Sequence, residues 1–197
     1  FDLRKAYEIS RNTSEKIGNP ACGYTPGSIS ATLENAYTDW CVSILAEACG
    51  DAEGKEEYIS KGQAYRNIFD EETGWFRPRA EDGTFIPLPA DGRYTEGYGC
   101  VESNPFQQGW FVPHDLGGLI GLIGGREKAL EELDLMFSRT PLNFQWNQYY
   151  NHANEPVHFV PFLYNAFGEP YKTQKWTRTI CRNAYFNAVE GLCGNED

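Results

Sequence analysis

The sequence predicts an all-α protein built from helix hairpins that form part of an α/α barrel, with a small irregular or β excursion near residues 71–101. Apolar residues recur at the three- and four-residue spacing of amphipathic helices along most of the chain. Tight glycine turns alternate with long connections at residues 14–29, 71–114 and 139–154. The composition is globular, and 197 residues suffice for one domain or a piece of a larger one.

Seven segments carry the helical pattern. In chain order they are residues 2–12, 31–49, 54–70, 115–125, 126–138, 156–167 and 172–190. The apolar stripe of the second segment consists of Leu33, Tyr37, Trp40, Ile44 and Leu45. Asp115 is a natural N-cap for the fourth segment. The sixth segment is apolar nearly all round, which predicts burial on most sides.

The alternation of short and long connections places all the long ones at one end of the assembly. This arrangement favours an α/α toroid. An α-solenoid is the alternative, but the chain shows no repeat of fixed period. Within residues 71–101, the stretches "TGWFRPR" and "GTFIPLP" are candidates for short strands.

Composition and charge exclude several classes of partner. A net charge of −11 argues against nucleic acid and anionic membranes, which need basic patches. No apolar run approaches the ~20 residues of a membrane span. The aromatic content of 15% predicts either a rich core or a cleft that stacks on sugar rings.

The six cysteines leave the redox compartment open. None forms a C-x-x-C pair and their spacing fits no zinc site, but an even count permits disulfides. Cys41 and Cys49 fall on a predicted helix core, whereas Cys22, Cys100 and Cys193 fall in loops.

Polar side chains accumulate in the long connections and at the chain end, beside aromatic residues. They are Glu102, Asn104, Gln107, Gln108, His114, Asp115, Gln145, Asn147, His152, Asn154, Glu155, Asn195, Glu196 and Asp197. Because the long connections meet at one mouth, acids from different connections would face one site. Two carboxyl groups, one protonated and one ionised, are what glycoside hydrolysis needs. Glu96 is a rival to Glu102 as the acid.

Several of these residues have a purely structural interpretation. The stretch "VPHD" is also a simple helix entry, in which Asp115 caps the helix and His114 fills a gap. The spacing of His152 and His158 does not place both on one helical face, which disfavours zinc binding by that pair. Asn154 and Glu155 suit either a helix cap or a hard cation such as calcium.

Long motifs resemble one known family. The stretches "ESNPFQQGWFVPHDLGGLIGLIGG", "NHANEPVHFVPFLYNAFGEPYKTQKW" and "GLCGNED" are similar to signature segments of glycoside hydrolase family 92. The stretches "GYTPGSISATLENAYTDWCVSILA" and "ETGWFRPR" are similar to its earlier helical segments. The resemblance covers almost all of the chain in the same order.

The resemblance implies a calcium-dependent, inverting exo-α-mannosidase that acts on α-mannoside glycans of the N-glycan or mannan type and is secreted or periplasmic in bacteria. It also implies an N-terminal β-sandwich followed by an (α/α)6 barrel. Residues 1–197 would be a fragment of that barrel, without the sandwich or the remaining helices. The activity of such a fragment by itself, the linkage preference and the oligomeric state stay open.

The resemblance also assigns roles to individual positions. Glu102 falls at the general acid, and Asp197 at the general base with Asn195 beside it. Asn154 and Glu155 fall in the segment that binds the cation and the sugar. The expected substrate-binding residues are Trp110, His114, Asp115, His152 and Glu155.

One motif departs from the family pattern. The commoner "EGNxWQY" stands here as "ESNPFQQ", with Ser103, Phe106 and Gln108 in place of glycine, tryptophan and tyrosine. The acid is kept, but its neighbours are changed. The alternatives to a mannosidase are a helical module that binds glycans or a partner without catalysis, and an α/α-barrel glycosidase of another sugar specificity.

Overall fold

A computed structural model describes residues 2–189 and 191–193. Its helices are α1 (Leu3–Ile17), α2 (Ile29–Cys49), α3 (Ala52–Lys61), α4 (Pro105–Gln108), α5 (Leu116–Ile123), α6 (Arg126–Arg139), α7 (Leu163–Ala166) and α8 (Pro170–Asn183). Short 3-10 turns span Ala64–Ile68, Gly92–Tyr94, Glu155–Val157 and Val160–Phe162. The mostly helical fold confirms the predicted class.

Helices α1, α2, α3 and α5 begin at side-chain caps, of which the sequence predicted Asp115. Asp2, Ser28, Asp51 and Asp115 each accept a hydrogen bond from a backbone N–H of the first turn of α1, α2, α3 and α5 respectively. Gly50 ends α2 in the left-handed conformation, with a φ of 77°. These caps fix the tight turn between α2 and α3, and α2 packs against both α1 and α3.

The β excursion begins earlier than predicted, as a two-stranded hairpin whose first strand lies within the predicted third helix. Strands β1 (Phe69–Asp70) and β2 (Trp75–Phe76) pair antiparallel, with Phe69 opposite Phe76. The Arg77 guanidinium lies 2.6 Å from the Asp70 carboxylate, and it holds the pKa of that carboxyl below its usual range against the effect of burial. The "GTFIPLP" stretch contributes only an isolated bridge at Phe85.

Aromatic side chains build most of the core. Trp75, Phe106 and Trp110 lie in the main cluster, which runs from Tyr24 to Cys193. A smaller cluster of Tyr7, Val42, Ala46 and Tyr58 fills the space between α1, α2 and α3. The core interpretation of the aromatic content is therefore confirmed for most rings.

Three predicted helices are shorter than their sequence pattern. In the third segment, helix α3 ends at Lys61. Gly62 packs against Trp40, where a Cβ on the glycine would lie 3.2 Å from the Trp40 Cβ, and the chain then continues as a 3-10 turn. The sixth contains Pro156 and Pro161, which lack the N–H that a continuous α-helix needs. It is nonetheless largely buried, as predicted.

The seventh segment ends at Asn183 instead of residue 190. A tight loop replaces the last turns, closed by a hydrogen bond of 3.1 Å from the Phe186 N–H to the Gly191 carbonyl. A Cβ at Gly191 would overlap the Phe186 carbonyl oxygen, so this loop depends on the glycine.

The stripe predicted for α2 is shifted. Leu33 is fully buried as predicted, but Ile44 is 46% exposed, and the other fully buried positions are Ile29, Thr32, Ala36 and Ala46. Because α2 packs against helices on two sides, its buried surface does not follow a single stripe.

All six cysteines lie among the described residues, and no disulfide joins any two of them. Cys41 and Cys49 are half-buried, while burial raises the pKa of the Cys100 thiol to about 12.

Across residues 2–189 and 191–193, no helix has the length and apolarity that crossing a membrane requires.

Candidate active site

The connection between β2 and α5 meets the connection that follows α6, and a cavity of about 240 Å³ opens between them. Asp91, Glu96 and Glu102 bring three carboxyl groups to its wall, and Tyr94 and Trp146 bring two aromatic rings. The predicted meeting of long connections at one mouth is therefore confirmed for these two. Glu102 and its rival Glu96 line the same cavity.

Glu102 has an unusual backbone conformation. Its φ is +52°, and within the described residues only Phe144 shares a positive φ among non-glycine residues. Such a conformation costs roughly 1–3 kcal/mol and persists only where surrounding contacts fix it. The residue on its N-terminal side is fixed by a hydrogen bond of 3.0 Å from the Val101 N–H to Ser30 Oγ.

Buried amides join the two walls of the cavity. Asn104 caps α4, and its Nδ2 donates to the Gln148 carbonyl at 3.0 Å. Gln107 completes the capping box, and its Nε2 donates to the Asn147 carbonyl at 2.6 Å. Both amides are 2% exposed, so these bonds are shielded from water. They hold the segment that carries Trp146 against α4.

Two of the three departures from the family motif, Ser103 and Gln108, are hydrogen-bonded to each other. Ser103 Oγ donates to Gln108 Oε1 at 3.2 Å, and Gln108 Nε2 donates to Glu34 Oε1 of α2 at 3.3 Å. Ser103 and Gln108 are both buried. Reverting either one alone would leave a buried polar group without this partner, so the two departures form one unit.

Trp146 is the most exposed aromatic ring of the cavity wall. Its side chain is 52% exposed, in a chain whose other large rings are mostly buried. An exposed indole beside carboxyl groups suits stacking on the apolar face of a sugar ring. The sequence places Trp146 near the polar residues. For Tyr94 and Asp91 its only signal is their position in the long connection that also carries Glu96 and Glu102.

His152 is buried between two tyrosine hydroxyl groups and does not line the cavity. Its Nδ1 is 2.7 Å from Tyr150 Oη and its Nε2 is 2.6 Å from Tyr185 Oη. Burial, and then the charge of His158, lower the pKa of His152 to about 4. The imidazole is therefore neutral near pH 7. The rings of His152 and His158 lie 4.6 Å apart, although their spacing in sequence does not place both on one helical face.

Asn154 connects this segment to Glu102. Its Nδ2 donates to the Glu102 carbonyl oxygen at 3.1 Å, and the residue is 4% exposed. The side-chain cap considered for Asn154 is not made. Glu155 is exposed and begins the 3-10 turn that follows. Because the Asn154 nitrogen is used by Glu102, the amide oxygen is the atom that it can offer to a cation.

None of the five expected substrate-binding residues lines this cavity, and three of them make structural contacts elsewhere. Trp110 is 1% exposed and packs on Trp75 in the core. His114 lies between aromatic rings, with Nε2 2.7 Å from the Gly62 carbonyl, and burial lowers its pKa. Asp115 caps α5 and accepts from Tyr65 Oη at 2.6 Å, which confirms the helix-entry interpretation. Their sugar contacts stay predictions.

Two further site predictions cannot be placed. Asp197 and Asn195 lie outside the described residues. No cluster of three or more His, Cys, Asp or Glu side chains suited to a metal occurs in the described ranges. The amide oxygen of Asn154 and the carboxylate of Glu155 are nevertheless the kind of donor that calcium prefers.

Comparison with known proteins identifies related folds. The family model for the glycosyl hydrolase family 92 catalytic domain matches residues 6–197. A family 92 α-mannosidase from Bacteroides thetaiotaomicron, solved with mannoimidazole, superposes with a TM-score of 0.85 at 29% identity. The superposition covers 99% of this chain and 29% of the mannosidase chain.

Two other proteins are similar, one from the same bacterial species and one from a fungus. A family 92 inverting mannosidase from Bacteroides thetaiotaomicron VPI-5482 gives a TM-score of 0.85 at 27% identity, covering 100% of this chain and 31% of that chain. A secreted glycosidase of Arthroderma benhamiae is 28% identical over 201 residues, covering 89% of this chain and 24% of the relative. The chain therefore spans less than a third of each relative.

Proposed function

Because the chain belongs to the glycosyl hydrolase family 92 catalytic domain, we propose that its protein removes terminal α-linked mannose from glycans with inversion at the anomeric carbon. The family match confirms the resemblance inferred from the motifs. Catalytic domains of this family are α/α barrels, in agreement with the predicted architecture. The β-sandwich and the remaining barrel helices stay predictions.

One observation carries the proposal. Glu102, which the motif resemblance assigns as the general acid, is an exposed residue on the wall of a cavity that also holds Trp146. Glu102 would give its proton to the glycosidic oxygen as the bond to the leaving group breaks. An exposed ring on the same wall would orient the sugar against that carboxyl group.

The second half of the reaction is assigned to Asp197. This carboxylate would take a proton from the water that attacks the opposite face of the sugar. Inversion needs a gap of roughly 6.5–9.5 Å between the two carboxyl groups, which leaves room for that water. Asn195 would stand beside the base.

Calcium is part of the proposal. Asn154 and Glu155 would hold the ion, and sugar hydroxyls and water would complete the six to eight oxygens that calcium takes. When bound, the ion orients neighbouring sugar hydroxyls and favours flattening of the ring. In this proposal Asn154 and Glu155 bind the ion, and the surrounding chain holds Glu102 in place as the acid.

The stereochemistry of the first product tests the proposal. Proton NMR of the full-length protein acting on an α-mannoside is expected to show β-mannose first, with the α-anomer appearing only by mutarotation. α-Mannose as the first product would refute inversion. No release of mannose from any α-mannoside would refute the proposed substrate class.

Calcium binding is tested by titration calorimetry on the metal-free full-length protein. We expect one calcium ion to bind, and Glu155→Gln to weaken its binding about tenfold or more, because ligand charge tunes calcium affinity over orders of magnitude. Glu131→Gln, an exposed carboxyl group on α6, is the matched control and should bind like the wild type. Equal affinity in the Glu155 variant would remove Glu155 from the ligand set.

The proposed substrates are α-mannoside glycans of the N-glycan or mannan type, and the proposed location is outside the cytoplasm, secreted or periplasmic. The names of the similar mannosidases support the substrate class, and the name of the fungal relative supports secretion.

A further inference from the structure

A hydrogen bond joins the candidate acid to the opposite connection. The Asn154 amide donates to the backbone carbonyl of Glu102 at 3.1 Å, across 52 residues of sequence. The bond holds the main chain of Glu102 and leaves its carboxyl group exposed on the cavity wall. Asn154 therefore contacts the part of Glu102 that decides where the carboxyl group points.

The direction of the Glu102 side chain depends on its left-handed backbone. At a φ of +52°, the Cα–Cβ bond leaves the chain in a direction that an extended or helical residue would not give. An acidic residue does not prefer this conformation by itself, so contacts around the peptide must select it. Asn154 supplies such a contact, because the carbonyl that it binds belongs to the peptide group between Glu102 and Ser103.

The neighbours of Glu102 are held independently of Asn154. Val101 is anchored to Ser30 of α2, and the Ser103 carbonyl accepts from the Gly97 N–H at 2.9 Å. With both sides fixed, the remaining freedom lies in the peptide that follows Glu102. Asn154 is 4% exposed, so no water readily replaces its amide there.

We propose that Asn154 is a positioning residue for Glu102: its amide holds the left-handed turn that aims the acid at the glycosidic oxygen. The role rests on the proposed function of Glu102 as the general acid. It belongs to the Asn154 nitrogen and is separate from the part proposed for its oxygen in binding calcium.

Asn154→Asp separates the two roles. Aspartate has nearly the same shape and keeps an oxygen for the cation, but it loses the donor. A misplaced acid slows the cleavage of a substrate whose leaving group needs protonation. It scarcely slows the cleavage of a substrate with a good leaving group such as 2,4-dinitrophenolate. We expect kcat/KM for an α-linked mannobiose to fall at least about tenfold more than for 2,4-dinitrophenyl α-mannoside.

Asn151→Asp is the matched control. Asn151 is buried three residues earlier, and its Nδ2 has no hydrogen-bond partner among the described residues, so the change adds the same charge without removing a donor bond. It is expected to affect both substrates equally. Calorimetry with calcium, run on both variants, reports whether the cation site survives.

A crystal structure of the Asn154→Asp variant gives a readout that does not depend on activity. The proposal expects Glu102 to leave the left-handed region. A retained positive φ overturns it, and so do equal losses on both substrates together with weaker calcium binding, which would assign Asn154 to the cation alone. A wild-type protein that cleaves neither mannoside contradicts the proposed function instead, and the structural test of Asn154 still stands.

Discussion

Glu102→Gln is expected to lower kcat/KM for mannosides with a sugar leaving group by roughly 10²–10⁴-fold, the usual contribution of general acid catalysis. Glutamine fills the same space on the cavity wall but has no proton to give. The loss should be much smaller for 2,4-dinitrophenyl α-mannoside, whose leaving group departs without protonation. Steady-state kinetics on the two substrates measures the difference.

Glu96→Gln is the control, because Glu96 is an exposed carboxyl group on the same cavity wall. If Glu102 is the acid, the Glu96 variant should show no such dependence on the leaving group. The reverse pattern would make Glu96 the acid. Equal losses on both substrates in the Glu102 variant would mean that this carboxyl group acts in binding and not in proton transfer.

Phe106→Ala is expected to lower the free energy of unfolding by about 3–5 kcal/mol, the usual cost of removing a fully enclosed phenylalanine. Phe106 is 0% exposed, and its ring centroid lies 5.2 Å from that of Tyr94 and 5.4 Å from that of Trp75. The Arg93 guanidinium lies 4.4 Å from its centroid. Urea unfolding followed by circular dichroism measures the change.

Two further variants at aromatic positions sharpen this test. Phe162→Ala removes a ring that is 55% exposed and should change stability much less. Phe106→Trp introduces the residue that is commoner in the family motif, yet it should still cost about 1–3 kcal/mol because this core is filled around phenylalanine. A Phe106→Trp variant as stable as the wild type would show that the cluster has room for the larger ring.

Much of the fold could be predicted because it depends on local chemistry. Helix ends carry residue types that favour capping. The structure has N-caps at Asp2, Ser28 and Asp115 and a left-handed C-cap at Gly50. The shortened helices show what local patterns miss. The apolar period continues past Asn183, but the loop that depends on Gly191 replaces the last turns of the predicted helix.

The candidate site was predicted in part. Motif resemblance placed Glu102 and Asn154 in the site, and the structure brings these two residues together through one hydrogen bond. Periodicity could not show that Trp110 belongs to the core, since a buried and a stacking tryptophan look alike in sequence. The left-handed Glu102 and its carbonyl contact depend on residues 52 positions apart, which no local rule connects.

The walls of the cavity are joined by neutral groups. Asn104, Gln107 and Asn154 each donate from a side-chain amide to a carbonyl oxygen of the other connection. Amides and carbonyls do not titrate between acid and neutral pH, and ions screen them far less than they screen charged pairs. The hydrogen bonds that join the two walls are thus insensitive to pH and salt, although the wall itself carries carboxyl groups. In surroundings of changing salt and acidity, the two connections would stay joined.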